Sequence, residues 1–184
     1  DAKLLLERAT ADFQAASKLH HDPQALFYLG LAQTLQQDPA DAETYQQAIN
    51  LYLEPGRTST PADIPILAEL LAFLMRQPLS QANYEQGEAL FQRAKQINPT
   101  SINWIYNHGS FNARAGNYRE AIRSFQDLGS AHPNAQFGLS QGVALLLLGR
   151  DGFPEALDAF KQVLEIKPTE PLALAYKSRL EACL

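Results

Sequence analysis

The sequence predicts an all-α chain, an α-solenoid of stacked antiparallel helical hairpins with about ten helices and no strands. Three observations lead there. First, residue classes recur in phase at 34 to 35 residues: Tyr84, Tyr118 and Phe153; Gly87, Ala121 and Ala156; Phe91, Phe125 and Phe160; Ala94, Leu128 and Val163; Pro99, Pro133 and Pro168. A period of that length marks a repeat architecture, in which each unit is one supersecondary element. Second, the spacing inside a unit is helical. Tyr118, Ala121, Ile122, Phe125 and Leu128 fall at i, i+3, i+4, i+7 and i+10, one face of a helix. Third, each such helix is followed by a proline, which disfavours helical conformation in the residue before it.

The elements follow in chain order. Residues 1–22 carry Ala9, Phe13 and Ala16 in the pattern of a second helix whose first helix is missing. Residues 23–54 form a unit with Phe27, Gly30, Tyr45 and Ala48 in repeat positions. Asp38-Pro39-Ala40-Asp41 offers an N-cap, a proline at the first helical position and an acid at the third. Tyr45 to Phe91 is 46 residues, 12 more than the repeat, and Glu54–Pro65, rich in Pro, Gly, Ser and Thr, absorbs the excess as an inter-repeat loop, centred on 55–63. Thr60-Pro61-Ala62-Asp63 repeats the capping pattern, with Pro65 leaving the start of the next helix open. Residues 64–99 form a unit whose first helix lacks the signature glycine. In 100–133, Trp104, Ile105, His108 and Phe111 mark the first helix, Tyr118–Leu128 the second, and Gly116 the turn, suited to a left-handed C-cap. Residues 134–168 repeat this around Gly142, Gly149, Phe153, Ala156 and Phe160, with a two-residue insertion at Arg150–Gly152 that expands the turn. Thr169, Glu170 and Pro171 open a last helix, 169–184, without a second.

Tyr106, Asn107, Gly109, Gly116, Tyr118, Ala121, Phe125 and Pro133, in that order, closely resemble the tetratricopeptide repeat. His108 stands where that family usually has Leu. The resemblance is strong in 84–168 and covers nearly the whole chain in looser form. It implies a right-handed superhelix whose concave side is lined by the first helix of each hairpin and holds a peptide or helix of a partner protein. The lining positions it transfers are Asn103, Tyr106, Asn107, Ser110 and Arg114 in the best unit, and Gln136, Leu139 and Val143 in the next. The early unit adds Phe27 and Leu31, and the poorly matched one Phe73 and Arg76. Family members that grip acidic chaperone tails use paired Lys/Arg and Asn on successive first helices. Here Asn107 is present, but Gln136 and Ser140 occupy the basic positions, so that mode is not expected. The set is apolar and amide-rich, suited to apolar anchors and amide hydrogen bonds. The alternative is a structural scaffold or self-association module, its concave face filled by its own last helix or by a second copy, because Val143–Leu148 is apolar all round and reads as buried on several sides.

Composition narrows the partner. Fifteen Lys+Arg against twenty Asp+Glu leave a net charge of −5, without the basic excess of a nucleic-acid binder. The longest apolar run, Val143–Leu148, falls far short of the roughly 20 residues of a membrane span, and no signal peptide opens the sequence. The expected location is cytoplasmic. The start at Asp1, in mid-hairpin, is read as a cut from a longer protein. Cys183 cannot form an internal disulfide and lies next to the C-terminus, without the fixed base a nucleophile needs. His20-His21-Asp22 is the one local cluster of metal-ligand types. Adjacent histidines diverge by about 100° on a helix, so it reads as a helix terminus. His108 reads as a hydrogen-bonded core histidine, and Gly149–Gly152 as a turn without phosphate-loop spacing. No cofactor, metal or catalytic constellation is expected: the chain reads as a non-enzymatic module whose partner is a protein or peptide.

Overall fold

The computed structural model describes residues 2–20 and 22–184, with His20 described by its backbone alone. The described residues form ten α-helices and two 3₁₀ turns, with no strand among them. The described helices divide into two compact units, Asp1–Pro99 and Thr100–Leu184.

The first unit contains α1 (Ala2–His20), α2 (Pro23–Gln36), α3 (Asp41–Tyr52), α4 (Ile64–Arg76) and α5 (Gln81–Ile97). The Asp22 carboxylate caps α2 by accepting from Gln24 N at 3.0 Å, with Pro23 at the first helical position. The α2–α3 turn is a Schellman motif: Gln37 N donates to Thr34 O and Asp38 N to Gln33 O. Its left-handed position is taken by Gln37, at φ 58°, rather than by glycine. The capping expected of Asp38 differs in detail. Asp38 Oδ1 accepts from Ala40 N at 3.0 Å, closing a turn in front of the helix, and α3 begins at Asp41. In the packed unit α2 lies between α1 and α3, and α4 pairs with α5. The core holds Ala48, Ile49, Tyr52, Leu67, Leu70 and Leu90, all without exposed surface.

The 12-residue excess is an ordered connection. Pro61–Asp63 forms a 3₁₀ turn and α4 starts at Ile64, with Pro65 inside its first turn, so the helix begins before the expected loop end at Pro65. Arg93 clasps the segment from α5, donating to Arg57 O at 2.6 Å and to Glu54 O at 2.7 Å. At its end Asp63 is 2% exposed yet fully engaged. Its Oδ1 accepts from Gln24 Nε2 (3.1 Å) and the Tyr52 hydroxyl (3.0 Å), and its Oδ2 from Thr60 N (2.7 Å) and the Thr60 hydroxyl (3.1 Å). Arg57 lies 3.8 Å from Asp63 Oδ1 and 4.7 Å from the centre of the Tyr52 ring. Burial pushes the Asp63 carboxyl up, but the hydrogen bonds from Thr60, Gln24 and Tyr52 outweigh it and hold it below the usual carboxylate range. Burial and then the Asp63 charge push Tyr52 well above the ordinary phenol value, so its hydroxyl stays a donor.

The second unit contains α6 (Ile102–Arg114), α7 (Tyr118–Ala131), α8 (Ala135–Leu147), α9 (Phe153–Ile166) and α10 (Pro171–Glu181). Gly116, at φ 83°, closes α6 as expected: Asn117 N donates to Asn112 O and Gly116 N to Ala113 O. Arg150–Gly152, the expanded turn, is a 3₁₀ turn. α8 packs between α7 and α9, and α10 lies on α9 through Ala173, Leu180 and a 5.1 Å ring stack of Tyr176 on Phe160.

One packing device recurs in both units. A Cβ built at Gly30 would lie 3.1 Å from the Tyr45 ring, at Gly109 2.8 Å from Phe125, and at Gly142 2.6 Å from Phe160. In these three hairpins the repeat glycine of the first helix is thus the bed for the aromatic of the second helix. This pairing of a missing side chain with a large ring sets the period seen in the sequence.

A candidate partner-binding groove

In the second unit α6 and α8 are the first helices of successive hairpins, and a hydroxyl–carboxamide cluster joins them. The Tyr106 ring packs against Phe125 (5.6 Å between centres) and Phe137 (5.7 Å), which fixes its direction. Its hydroxyl accepts from Gln136 Nε2 at 3.1 Å and lies 3.3 Å from the Ser140 hydroxyl. Ser110 donates to Tyr106 O at 3.0 Å.

Beside this cluster lies a groove of about 500 Å³, lined by Ser110, Gln136, Leu139, Ser140, Val143 and Leu147, with Leu172 of α10 at its edge. Gln136 and Leu147 are exposed, Ser110, Ser140 and Val143 are half-buried, and Leu139 is buried. Among the described residues, the charges on its walls are Lys167 and Glu170, which pair with each other at 2.5 Å. The walls are therefore apolar and amide-bearing, and their two ions satisfy each other rather than attract a charged ligand.

Other transferred positions fall elsewhere. Asn103, Asn107 and Arg114 share α6 with Tyr106 but do not line this groove; Asn103 and Arg114 are exposed and Asn107 is half-buried. In the first unit Phe27 and Phe73 are buried. They sandwich Tyr45, with ring centres 6.1 and 5.0 Å away, and so belong to the core. Leu31 is 41% exposed, and Arg76 is exposed on α4.

The sequence reading missed Leu147 and Leu172 in the second unit and Tyr28 and Leu35 in the first. The latter two share an exposed face of α2 with Leu31, and the i, i+3, i+7 spacing of Tyr28, Leu31 and Leu35 is the signal that could have found them. The expectation that the helix carrying Val143–Leu148 is buried on several sides holds, since α8 packs against α7, α9 and α6, but not for every residue of the run. Ala144 and Leu145 are buried, but Leu147 is 52% exposed and lines the groove.

His108 is half-buried, with Nε2 2.9 Å from Asn112 Nδ2, and Cys183 is exposed. The His20–His21 pair lies outside the described side chains. Among the described residues no group of three His, Cys, Asp or Glu is placed to hold a metal ion, and no helix is long and apolar enough to cross a membrane.

Several solved structures share this fold. YrrB, described as a TPR protein with an unusual peptide-binding site, is 19% identical, with a TM-score of 0.70 over 96% of this chain and 86% of that one. TTC0263, a thermophilic TPR protein of Thermus thermophilus, is 21% identical, with a TM-score of 0.54 over 98% and 91%. MamA is 22% identical, with a TM-score of 0.59 over 89% and 84%. Among curated protein sequences, none matches the chain. The family profile described as tetratricopeptide repeat matches residues 3–54 and 112–171. With its glycine–aromatic period, its helical hairpins and that match, the chain belongs to the tetratricopeptide repeat family, whose members are protein–protein interaction modules.

Proposed function

We propose that the chain docks an extended, uncharged segment of a partner protein on the first-helix face of its repeats, with the groove between α6 and α8 as the principal seat. The observation that carries this reading is the Tyr106–Gln136–Ser140 cluster beside an open apolar groove. Val143, Leu147 and Leu172 offer a bed for one or two apolar side chains. Gln136, Ser110 and Ser140 supply donors and acceptors for the main chain beside them. Rigid helices present these groups with little ordering cost on binding. That YrrB is described as carrying a peptide-binding site agrees with a peptide ligand for this fold. Asn103, Asn107 and Arg114 would then contact flanking residues of the partner. On the first unit, taken by itself, Leu31 and Arg76 offer exposed contact positions, whereas Phe27, Phe73 and, on the second unit, Leu139 would act from beneath as packing. The role is binding, not catalysis.

Selection from a library of neutral peptides tests this. Val143→Glu places a charge on the groove wall and is expected to weaken every selected peptide at least tenfold, roughly 1.4 kcal/mol. Tyr106→Phe removes the hydroxyl and keeps the ring packing, and a smaller loss is expected. Unchanged affinity in both variants would remove the groove from consideration.

A second reading is self-association. It rests on exposed leucines at one end of the second unit, Leu172 at 55% and Leu174 at 47%. Sedimentation that shows a monomer at high concentration would dismiss it.

A further inference from the structure

Each unit carries a groove on the side of its second helices. In the second unit it runs between α7 and α9 over α8, encloses about 570 Å³ and shares no lining residue with the Tyr106–Val143 groove. Gln126 and Gln162 stand on its facing walls and Gln141 on its floor. In the first unit the corresponding groove runs between α1 and α3 over α2 and encloses about 640 Å³, with Gln14 and Gln47 on its walls.

The two grooves occupy the same place in the repeat. Gly30 and Gly142 are 112 residues apart, and so are Phe13 and Phe125, and Gln14 and Gln126. On the opposite wall Tyr45 and Phe160 are 115 apart, and so are Gln47 and Gln162. The packing residues that define the repeat thus bring along a glutamine on each wall, in both units.

The chemistry of these walls is specific. Each carboxamide offers a donor and an acceptor, the complement of a peptide group. In the first unit's groove Gln33 Oε1 is buried with no hydrogen-bond partner among the described residues. Charge is sparse and not basic: Glu165 in the second unit, Lys18 and Glu43 in the first. An anion or a nucleic acid finds no cluster of cations here. A helical partner would present no main-chain amides, since its own turns consume them. An extended strand presents N–H and C=O groups alternately on both edges, which two facing walls of carboxamides can meet at once.

We infer that these grooves are docking sites for extended, uncharged polypeptide, read through its main-chain amides by the glutamines of successive second helices. This site is separate from the first-helix groove and does not depend on it. The test uses the whole chain and a neutral probe, acetyl-(Gly-Ser)₃-amide, followed by NMR on the side-chain amide resonances. Saturable shifts are expected at Gln126, Gln141 and Gln162. The same peptide with every glycine N-methylated lacks its three glycine N–H donors and should bind at least tenfold more weakly. Gln126→Ala combined with Gln162→Ala should lose at least tenfold in affinity. Both side chains are exposed, so an unchanged thermal melt is expected and separates lost contacts from lost folding. Absence of shifts at these glutamines at millimolar peptide, equal binding of the N-methylated peptide, or full binding by the double variant would each overturn the inference. Shifts confined to Gln136 would overturn it too, while supporting the first-helix groove.

Discussion

Asp63 shows how a single residue holds an insertion that the repeat does not require. Its buried carboxylate accepts four hydrogen bonds from Gln24, Tyr52 and Thr60, so removing the charge leaves donors without an acceptor. Asp63→Asn is expected to destabilise the protein by about 2 kcal/mol at neutral pH, read from urea unfolding. The pH dependence has a definite sign. Because the folded carboxyl titrates below its unfolded value, its contribution is complete above about pH 4 and fades as pH falls through the folded value. The gap between parent and variant should therefore narrow in acid; a gap that widens below pH 4 would contradict the assignment. Gln37 is the reverse case, a side chain in a place that favours none. It sits at φ 58° in a turn whose counterpart in the second unit uses Gly116. Gln37→Gly should stabilise by roughly 0.5–1 kcal/mol, seen as a higher melting temperature. A lower one would mean that the Gln37 side chain contributes more than its backbone strain removes.

At the scale of the helical hairpin the decisive contact is glycine against ring. Gly142→Ala would put a methyl group 2.6 Å from Phe160 and should destabilise by about 1–3 kcal/mol in thermal or urea melts. No loss would show that α8 and α9 can separate freely. These contacts also explain what the sequence made legible. Gly109 with Phe125 and Gly142 with Phe160 are tight enough to fix residue type, so the period, the hairpins and the Gly116 turn could be read directly. The start of α3 lies two residues beyond the position expected from Asp38-Pro39, because Gln37 carries no left-handed signal and Asp38-Pro39 mimics a cap. Orientation within a helix was harder to read. Neighbouring residues on a helix differ by about 100°, so a transferred face that includes Phe27 and Leu31 gives no warning that Phe27 turns under Tyr45 while Tyr28 turns outward. Leu139 and Leu147 reverse in the same way. One looks like a contact residue and is buried. The other belongs to an apolar run and is exposed, because burial depends on neighbouring helices that periodicity does not place.

At the scale of the whole molecule, a repeat chain builds its binding surface from successive hairpins rather than around one active centre. Tyr106 comes from one hairpin and Gln136, Ser140 and Val143 from the next, so the groove exists only where two hairpins meet side by side. With the net charge of −5 and the self-paired Lys167 and Glu170, the proposed groove would recognise its segment by apolar contact and amide hydrogen bonding. The central claim is that this first-helix groove is where a partner segment sits. Methyl-labelled NMR of the chain, titrated with a peptide selected for binding, measures it most directly. The methyl resonances of Val143, Leu147 and Leu172 should shift together and saturate with the affinity of the peptide. If these three stay fixed while the peptide binds, the partner segment lies elsewhere and the account is wrong.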